Sequence, residues 1–271
     1  MSQELSHLSE LQKAELDVLR VVSEICKERG LTYYLTGGSL LGAVRHHGFI
    51  PWDDDIDILM PRPDYETLKA HAKDYLPEHL LLSTYDTPGH IWSPKIIDTS
   101  TKFYLNNALL KKEIGAWVDI LVLDGVPAPG LKRSFFKYVY LFARMLYNFS
   151  TFSQSVNLHR KRSLLDRILI GFARYSHIEK ILSSKLTGNL YDRVCGHYSL
   201  DESEWAGALG GVMRFREIVP KNWFGSGVIM DFENIKVNCV TEWDKYLTYI
   251  YGDYMTPPPM SDRNKHNVTK L

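Results

Sequence analysis

Apolar residues at Leu11, Leu16, Leu19, Val22 and Ile25 recur near the period of roughly 3.6 residues that marks one face of a helix. Ser9 with Gln12 has the spacing of a capping box and Gly30 suits a stop, so a first helix is expected over 9–29. Residues 31–36 are β-branched and aromatic and predict a strand. A short helix over 39–46 opens at the Gly37-Gly38 turn. A loop over 47–52 follows, and then a second strand over 55–60. Pro61 and Pro63 fit the first turn of a helix reaching about Leu76. Further strands are expected over 80–84, 92–97 and 116–123, the last ended by Asp124-Gly125, with Asp124 read as a turn residue. The Pro-rich stretch 126–130 is the best boundary in the chain. Helices are expected over 131–186 and 188–197, short strands and turns over 207–240, and a helix over 241–251 before an irregular tail. This order predicts an α+β fold, with a small mixed sheet flanked by helices rather than a long βα alternation.

Composition narrows the class. The chain has 271 residues and 45% hydrophobic content, enough for one domain, or one with an insertion. The expected units are a core over 1–130, a helical part over 131–200, and a C-terminal part over 201–271 that packs back on the core. Three cysteines, Cys26, Cys195 and Cys239, are widely spaced and odd in number. That argues for a reducing compartment and against a disulfide framework or a zinc site. Residues 1–10 are polar and no run of about 18 uncharged apolar residues exists, so neither a signal peptide nor a spanning helix is expected. The sequence reads as cytoplasmic.

A zero formal net charge conceals an asymmetry. Residues 131–185 carry eleven Lys/Arg against Asp166 and Glu179, a net +9 that leaves −9 for the remainder. The segment is also rich in Phe and Tyr. Basic, aromatic, helix-compatible stretches suit contact with an anionic membrane at its inner face. The plainer alternative is a helical subdomain with solvated cations and a buried aromatic core. No nucleic-acid motif accompanies the basic stretch, so nucleic acid is not an expected partner.

The candidate chemistry lies upstream. Residues 53–57 hold four aspartates, Asp53, Asp54, Asp55 and Asp57. In a strand, Asp55 and Asp57 share one face, and two adjacent carboxylates repel unless a cation lies between them. Mg²⁺, or Mn²⁺ in its place, is the expected ion, because hard cations take carboxylate and phosphate oxygens. Asp119 is the candidate third ligand. It is the one charged residue in an otherwise apolar strand, where an ionised carboxylate is costly unless paired or metal-bound.

Gly37, Gly38 and Ser39 sit between a strand and a helix. There glycine admits a phosphate to the backbone and the helix N-terminus supplies free N–H groups. Ser39 is a candidate for capping, for phosphate contact, or for both. Arg45 is a candidate for phosphate or for a salt bridge to the acidic cluster. Lys95, in mid-strand, is a candidate to neutralise charge in phosphoryl transfer. His46 and His47 adjoin the loop and suit either solvent or substrate. Should the ligand carry a quaternary ammonium, Tyr34, Trp52, Trp92 and Trp117 are the aromatic residues nearest the motifs.

The stretch from Tyr34 through Asp57, with its Leu-Leu-Gly-Ala-Val-Arg-His core and Ile-Pro-Trp-Asp-Asp-Asp-Ile-Asp end, closely resembles the LicD family, relatives of fukutin and fukutin-related protein. A second likeness is Tyr251-Gly252-Asp253-Tyr254-Met255 with Pro257 to Pro259, Arg263 and His266, and the strand of Asp119 corresponds to the family's Val-Asp-Ile strand. The resemblance implies a nucleotidyltransferase-like fold with Mg²⁺ on Asp55, Asp57 and Asp119. Together the two readings give Gly37, Gly38, Ser39, Arg45, Trp52 and His266 as substrate-binding candidates, and Lys95 beside the catalytic aspartates Asp55, Asp57 and Asp119. The implied reaction moves a phosphorylated alcohol, typically phosphocholine from CDP-choline, to a sugar hydroxyl. The acceptor would be a glycan or teichoic acid precursor of the cell wall or surface, lipid-linked in some cases. Competing readings are a nucleotidylyltransferase that releases pyrophosphate, a glycosyltransferase using an Asp-x-Asp pair, and a non-catalytic glycan- or lipid-binding module.

Overall fold

The computed structural model describes residues 8–90, 92–105, 112–155, 171, 175–176, 178–211, 213–259, 263 and 268–270. Helix α1 (Glu10–Arg29) begins at the expected capping box, Ser9 with Gln12, and ends at Gly30 in the left-handed conformation. Its apolar face, including Leu16, Leu19 and Val22, is buried in the main core. Strand β1 (Tyr34–Leu35) is shorter than the predicted 31–36. The Asp64 carboxylate takes the Thr32 N–H at 3.2 Å, which turns that backbone group away from any ladder. Then come α2 (Gly37–His46) and β2 (Asp57–Pro61). Asp55 therefore precedes the strand expected to carry it. Residues 53–56 form a loop instead, anchored by Asp53 N–H to the Ile50 carbonyl (2.9 Å) and by the Gln12 side-chain amide to the Asp53 carbonyl (2.8 Å).

The predicted helix 61–76 is two helices, α3 (Arg62–Ala70) and α4 (Ala72–Tyr75), interrupted at His71. Strands β3 (Leu80–Ser83), β4 (Lys95–Asp98) and β7 (Trp117–Val126) lie near the expected positions. β7 nonetheless continues through Asp124-Gly125, where a turn was expected. Arg62 neutralises Asp124 with a bidentate contact (2.7 and 2.8 Å), and the missing Cβ of Gly125 lets the Ser199 carbonyl approach. β5 (Phe103–Leu105), β6 (Lys112–Ile114) and β12 (Val268–Lys270) form a small separate sheet that the hydropathy pattern did not suggest.

Helices α5 (Leu131–Ser150) and α6 (Phe152–Ser155) and a 3-10 turn (Ile178–Lys180) lie in the basic segment, and α7 (Ser184–Cys195) begins at its end. Strands β8 (Trp205–Gly207), β9 (Val219–Pro220), β10 (Val228–Phe232) and β11 (Ile235–Cys239) precede α8 (Trp243–Tyr251).

The main sheet runs β10-β11-β1-β2-β7-β4-β3, with β8 and β9 added to the far end of β7. β1 pairs with β11 and β2 with β7 in parallel; the other pairings are antiparallel. This is the α+β architecture with a mixed sheet that the order of elements predicts, although at nine strands the sheet is larger than expected. α5 and α7 close a second aromatic core with Tyr85, Val126, Leu209 and Ile218. The three cysteines are buried thiols.

Candidate active site

Three neighbouring strands bring one row of charged side chains together. Asp57 opens β2 and lies in register with Asp119 on β7; Asp119 lies in register with Lys95, which opens β4. Residues directly paired across strands share a face of the sheet. Asp57, Asp119 and Lys95 therefore stand side by side although 38 or more positions separate Asp57 from each in the chain. Lys95 Nζ contacts Asp119 Oδ1 at 2.9 Å. Ser93 Oγ donates to the same oxygen at 2.6 Å, and Trp117 Nε1 donates to Oδ2 at 2.8 Å. Oδ2 keeps a second lone pair for another partner.

The glycine turn and the acidic loop form one construction. A Cβ on Gly38 would lie 2.3 Å from Asp53 Oδ2. One on Gly37, whose φ is +56°, would lie 3.1 Å from Asp57 Oδ2. The close approach that glycine permits is thus used first by two carboxylates, which the positive end of α2 favours. Ser39 does not cap α2. Thr36 is the N-cap residue, and the buried Ser39 Oγ accepts the Asp57 N–H at 2.9 Å, fixing the start of β2.

A cavity of about 530 Å³ opens over this row. Gly37, Gly38, Asp53, Asp55, Asp57 and Asp119 line one part of it, with Lys95 beside them. Trp92, Trp117, Tyr147, Tyr191 and Tyr251 supply aromatic walls. Trp92 holds φ +65°, a backbone conformation uncommon for an aromatic residue, and its ring centroid is 5.5 Å from Lys95 Nζ. Trp117 stands 5.7 Å from the same ammonium.

Other candidates lie elsewhere. Arg45 donates to the Tyr254 carbonyl (2.7 Å) and to His46 Nε2 (3.0 Å), tying α2 to the C-terminal stretch and forming no part of the cavity wall. Trp52 packs under the Arg263 guanidinium, 4.0 Å from its ring centroid, and edge-on to His46. Tyr34 is buried and donates to the Gly225 carbonyl. His47 caps the C-terminus of α2 with φ +57°. His266 lies outside the described residues.

Clustered negative charge is visible in the acidities. The Asp57 carboxyl is pushed well above its ordinary range, first by burial and then by Asp55, Asp119, Asp53 and Glu217. Glu15, on α1, is pushed well above its range by burial and then by Asp55, Asp54, Asp119 and Asp53. Neither of its buried carboxyl oxygens has a hydrogen-bond partner among the described residues. Glu217 is raised to about 7 by burial, against the lowering effect of hydrogen bonds from Tyr246 and Thr36.

Sequence reasoning passed over these residues. Glu15 falls between Leu11 and Leu19 at helical spacing, which placed it on the buried face of α1. Glu217, in a 3-10 turn (Arg214–Glu217) before β9, carries no such signal.

The donor chemistry fits a hard divalent cation. Asp55 and Asp57 share a cavity wall with Asp119, every candidate donor is a carboxylate oxygen, and burial of Asp57 among like charges calls for a counter-cation. Among the described residues, no group of three or more His, Cys, Asp or Glu is drawn to the spacing of a coordination shell. Asp119 is held toward Lys95.

The family model described as LicD/FKTN/FKRP, nucleotidyltransferase domain, matches residues 30–121, which contain β1, the glycine turn, the acidic loop and the row Asp57–Asp119–Lys95. The chain is 28% identical to the lipopolysaccharide cholinephosphotransferase LicD of Haemophilus influenzae, over 96% of each protein. It is also 46% identical over 46 residues to the human ribitol 5-phosphate transferase FKRP, which covers 17% of this chain and 9% of that one. The likeness to the LicD family is thus carried by residues 30–121, which hold the glycine turn and the paired aspartates, and it extends at lower identity along nearly the whole chain.

Proposed function

We propose that this chain is a phosphotransferase that moves a phosphorylated alcohol from a CDP-activated donor, phosphocholine from CDP-choline, to a sugar hydroxyl of a cell-surface glycan precursor. The observation that carries this reading is the cross-strand row of Asp57, Asp119 and Lys95 at the wall of an aromatic cavity. The match to a cholinephosphotransferase along nearly the whole chain supports the choice of phosphocholine. So do the rings of Trp92, Trp117 and Tyr251, since aromatic faces suit a quaternary ammonium.

Asp55, Asp57 and Asp119 would hold Mg²⁺, which when bound neutralises phosphate charge and acidifies an acceptor hydroxyl. The chain's own residues do the rest. The N–H groups of Gly37 and Gly38 at the start of α2 hold the phosphate that stays with the nucleotide. The acceptor oxygen attacks the phosphorus of the transferred group, its proton passes to Asp119, the bond to the CMP oxygen breaks, and CMP leaves. Lys95, 2.9 Å from Asp119 Oδ1, opposes the negative charge that builds on the phosphoryl oxygens.

For a lipid-linked acceptor, the outer face of α5 supplies a docking surface. Leu131, Phe135, Tyr138 and Phe142 recur at helical spacing and are 91%, 72%, 71% and 57% exposed. α5 carries Lys132 and Lys137 and not one Asp or Glu. That combination suits an anionic bilayer surface. No helix among the described residues is long and apolar enough to cross a membrane.

The test combines a thermal-shift screen of CDP-choline, CDP-ethanolamine, CDP-glycerol and CDP-ribitol with Mg²⁺ and identification of the leaving group by mass spectrometry. CMP release in the presence of a glycan acceptor, lost by orders of magnitude in Asp57→Asn, is the expected result. Pyrophosphate release from CTP, or near-normal turnover by Asp57→Asn, overturns the proposal.

A further inference from the structure

Arg144 is the cation that α5 turns inward. The buried side of this helix is Phe136, Tyr140, Ala143 and Tyr147. Position 144 lies four residues after Tyr140 and three before Tyr147, so helical geometry carries its side chain inward rather than to solvent. It lines the same cavity as Gly38, Asp57 and Lys95.

One corner of the guanidinium is fixed. Nη1 donates to the Tyr140 hydroxyl at 2.9 Å, the Tyr191 hydroxyl at 3.2 Å and the Leu209 carbonyl at 3.4 Å. Both phenols also donate to that carbonyl, at 2.8 and 3.0 Å, so the network closes on itself and holds the plane of the group. Among the described residues, Nε is buried without a hydrogen-bond partner, and the charge of Arg144 faces tyrosines and no carboxylate.

Arg62 shows what the Nε edge of a guanidinium does when it is used. Its Nε and Nη2 grip the two oxygens of Asp124 at 2.7 and 2.8 Å. A half-buried guanidinium held rigid with no counter-charge is unfavourable until an anion completes it. Lys95, the other cation of the cavity wall among the described residues, already faces Asp119.

We infer that Arg144 forms a phosphate subsite, in which its locked guanidinium binds a phosphate oxygen of a ligand in the cavity. The phosphotransfer reading supplies two sources for that oxygen, the diphosphate of the nucleotide donor and a phosphate carried by the acceptor glycan. The inference rests on that reading for the ligand's identity, but binding tests it without turnover.

Calorimetry on the full chain with Mg²⁺ would compare wild type, Arg144→Gln and Arg144→Lys against CDP-choline, CMP, cytidine, glucose 6-phosphate and glucose. Arg144→Gln is expected to weaken the phosphate-bearing probe that uses this subsite about 10- to 100-fold, the scale of a lost charged hydrogen bond, with cytidine and glucose unchanged. Arg144→Lys should recover part of the affinity, since it keeps the charge and loses the planar fork. A loss confined to CDP-choline and CMP assigns the donor phosphate; one confined to glucose 6-phosphate assigns the acceptor. Tyr140→Phe, which loosens the guanidinium without removing it, should cost less than Arg144→Gln.

Equal losses in those two variants, or wild-type affinity for every phosphate in a folded Arg144→Gln protein, overturn the inference. If Arg144→Gln does not fold by near-ultraviolet circular dichroism, wild-type affinities in Arg144→Lys overturn it. A wild-type chain that binds CDP-choline through Arg144 but transfers nothing defeats the phosphotransfer proposal alone. Turnover untouched by either Arg144 variant, with unchanged affinities, defeats this inference alone.

Discussion

Burial and the neighbouring aspartates oppose ionisation of Asp57 and Glu15, and burial opposes that of Glu217, which has measurable consequences for single residues. Glu217, raised to about 7 by burial, remains protonated in the folded chain at pH values where the unfolded chain has already ionised it. Its contribution is therefore fully present below the ordinary value of 4.5 and is lost as pH rises through about 7. For protein stripped of divalent ions, Glu217→Gln should remove a pH-dependent destabilisation of at most about 3 kcal/mol between pH 4 and 8. Urea titrations of both proteins across that range read it directly; parallel curves would contradict it. The same sign applies to Asp57, so Asp57→Asn should raise the melting temperature of stripped protein at pH 8 while removing activity. At Gly38 the opposite is expected. A methyl group there meets Asp53 Oδ2 at 2.3 Å, so Gly38→Ala must push that carboxylate aside, and it should weaken Mg²⁺ binding in a calorimetric titration with little loss of fold.

At the scale of elements, Arg62 joins three of them. From the first turn of α3 it grips Asp124 on β7, and it reaches Asp192 on α7 at 2.8 Å. Asp124 is 1% exposed, so Arg62→Ala leaves a buried carboxylate without its counter-charge and should cost about 3–5 kcal/mol of stability in denaturant titration. The double variant Arg62→Met with Asp124→Asn, which removes both charges, should lose far less. This ion pair also explains why β7 runs past the point where a turn was expected. An Asp-Gly pair reads as a turn when only local preferences count. A cation supplied from 62 positions upstream converts the same residues into strand. Helix α1 is the reverse case. Its apolar period, its capping box and its terminal glycine all agree, and all are local, so its limits were legible to within a residue.

Across the whole molecule, charge and apolar surface are segregated. The acidic cluster faces inward to the cavity, while α5 presents Leu131, Phe135, Tyr138 and Phe142 outward beside Lys132 and Lys137. The two lysines lean over Tyr198 (5.0 Å) and Phe215 (6.0 Å), which leaves the apolar stripe uncovered. Flotation with anionic vesicles should recover the wild-type chain at low salt and less of it at high salt. Phe135→Ser with Phe142→Ser should reduce recovery strongly, since burial of each ring contributes about 1.5–3 kcal/mol. Absence of wild-type binding would leave α5 as an ordinary exposed helix. One helix then serves two faces, with Arg144 turned to the cavity and the aromatic stripe turned to solvent. Composition alone merged these into a single basic, aromatic segment.

The sequence by itself determined the helix caps, the α+β order of elements, the glycine turn and the carboxylates at positions 53–57 and 119, because spacing and residue type carry those within short windows. Only the tertiary structure decided which charges meet. The register that sets Asp57 beside Asp119 and Lys95 depends on three strands drawn from separate stretches of chain. The inward turn of Glu15, Arg144 and Glu217 depends on what packs against them. Burial and long-range pairing set the energy of a charged group, and neither quantity is written in a local run of residues.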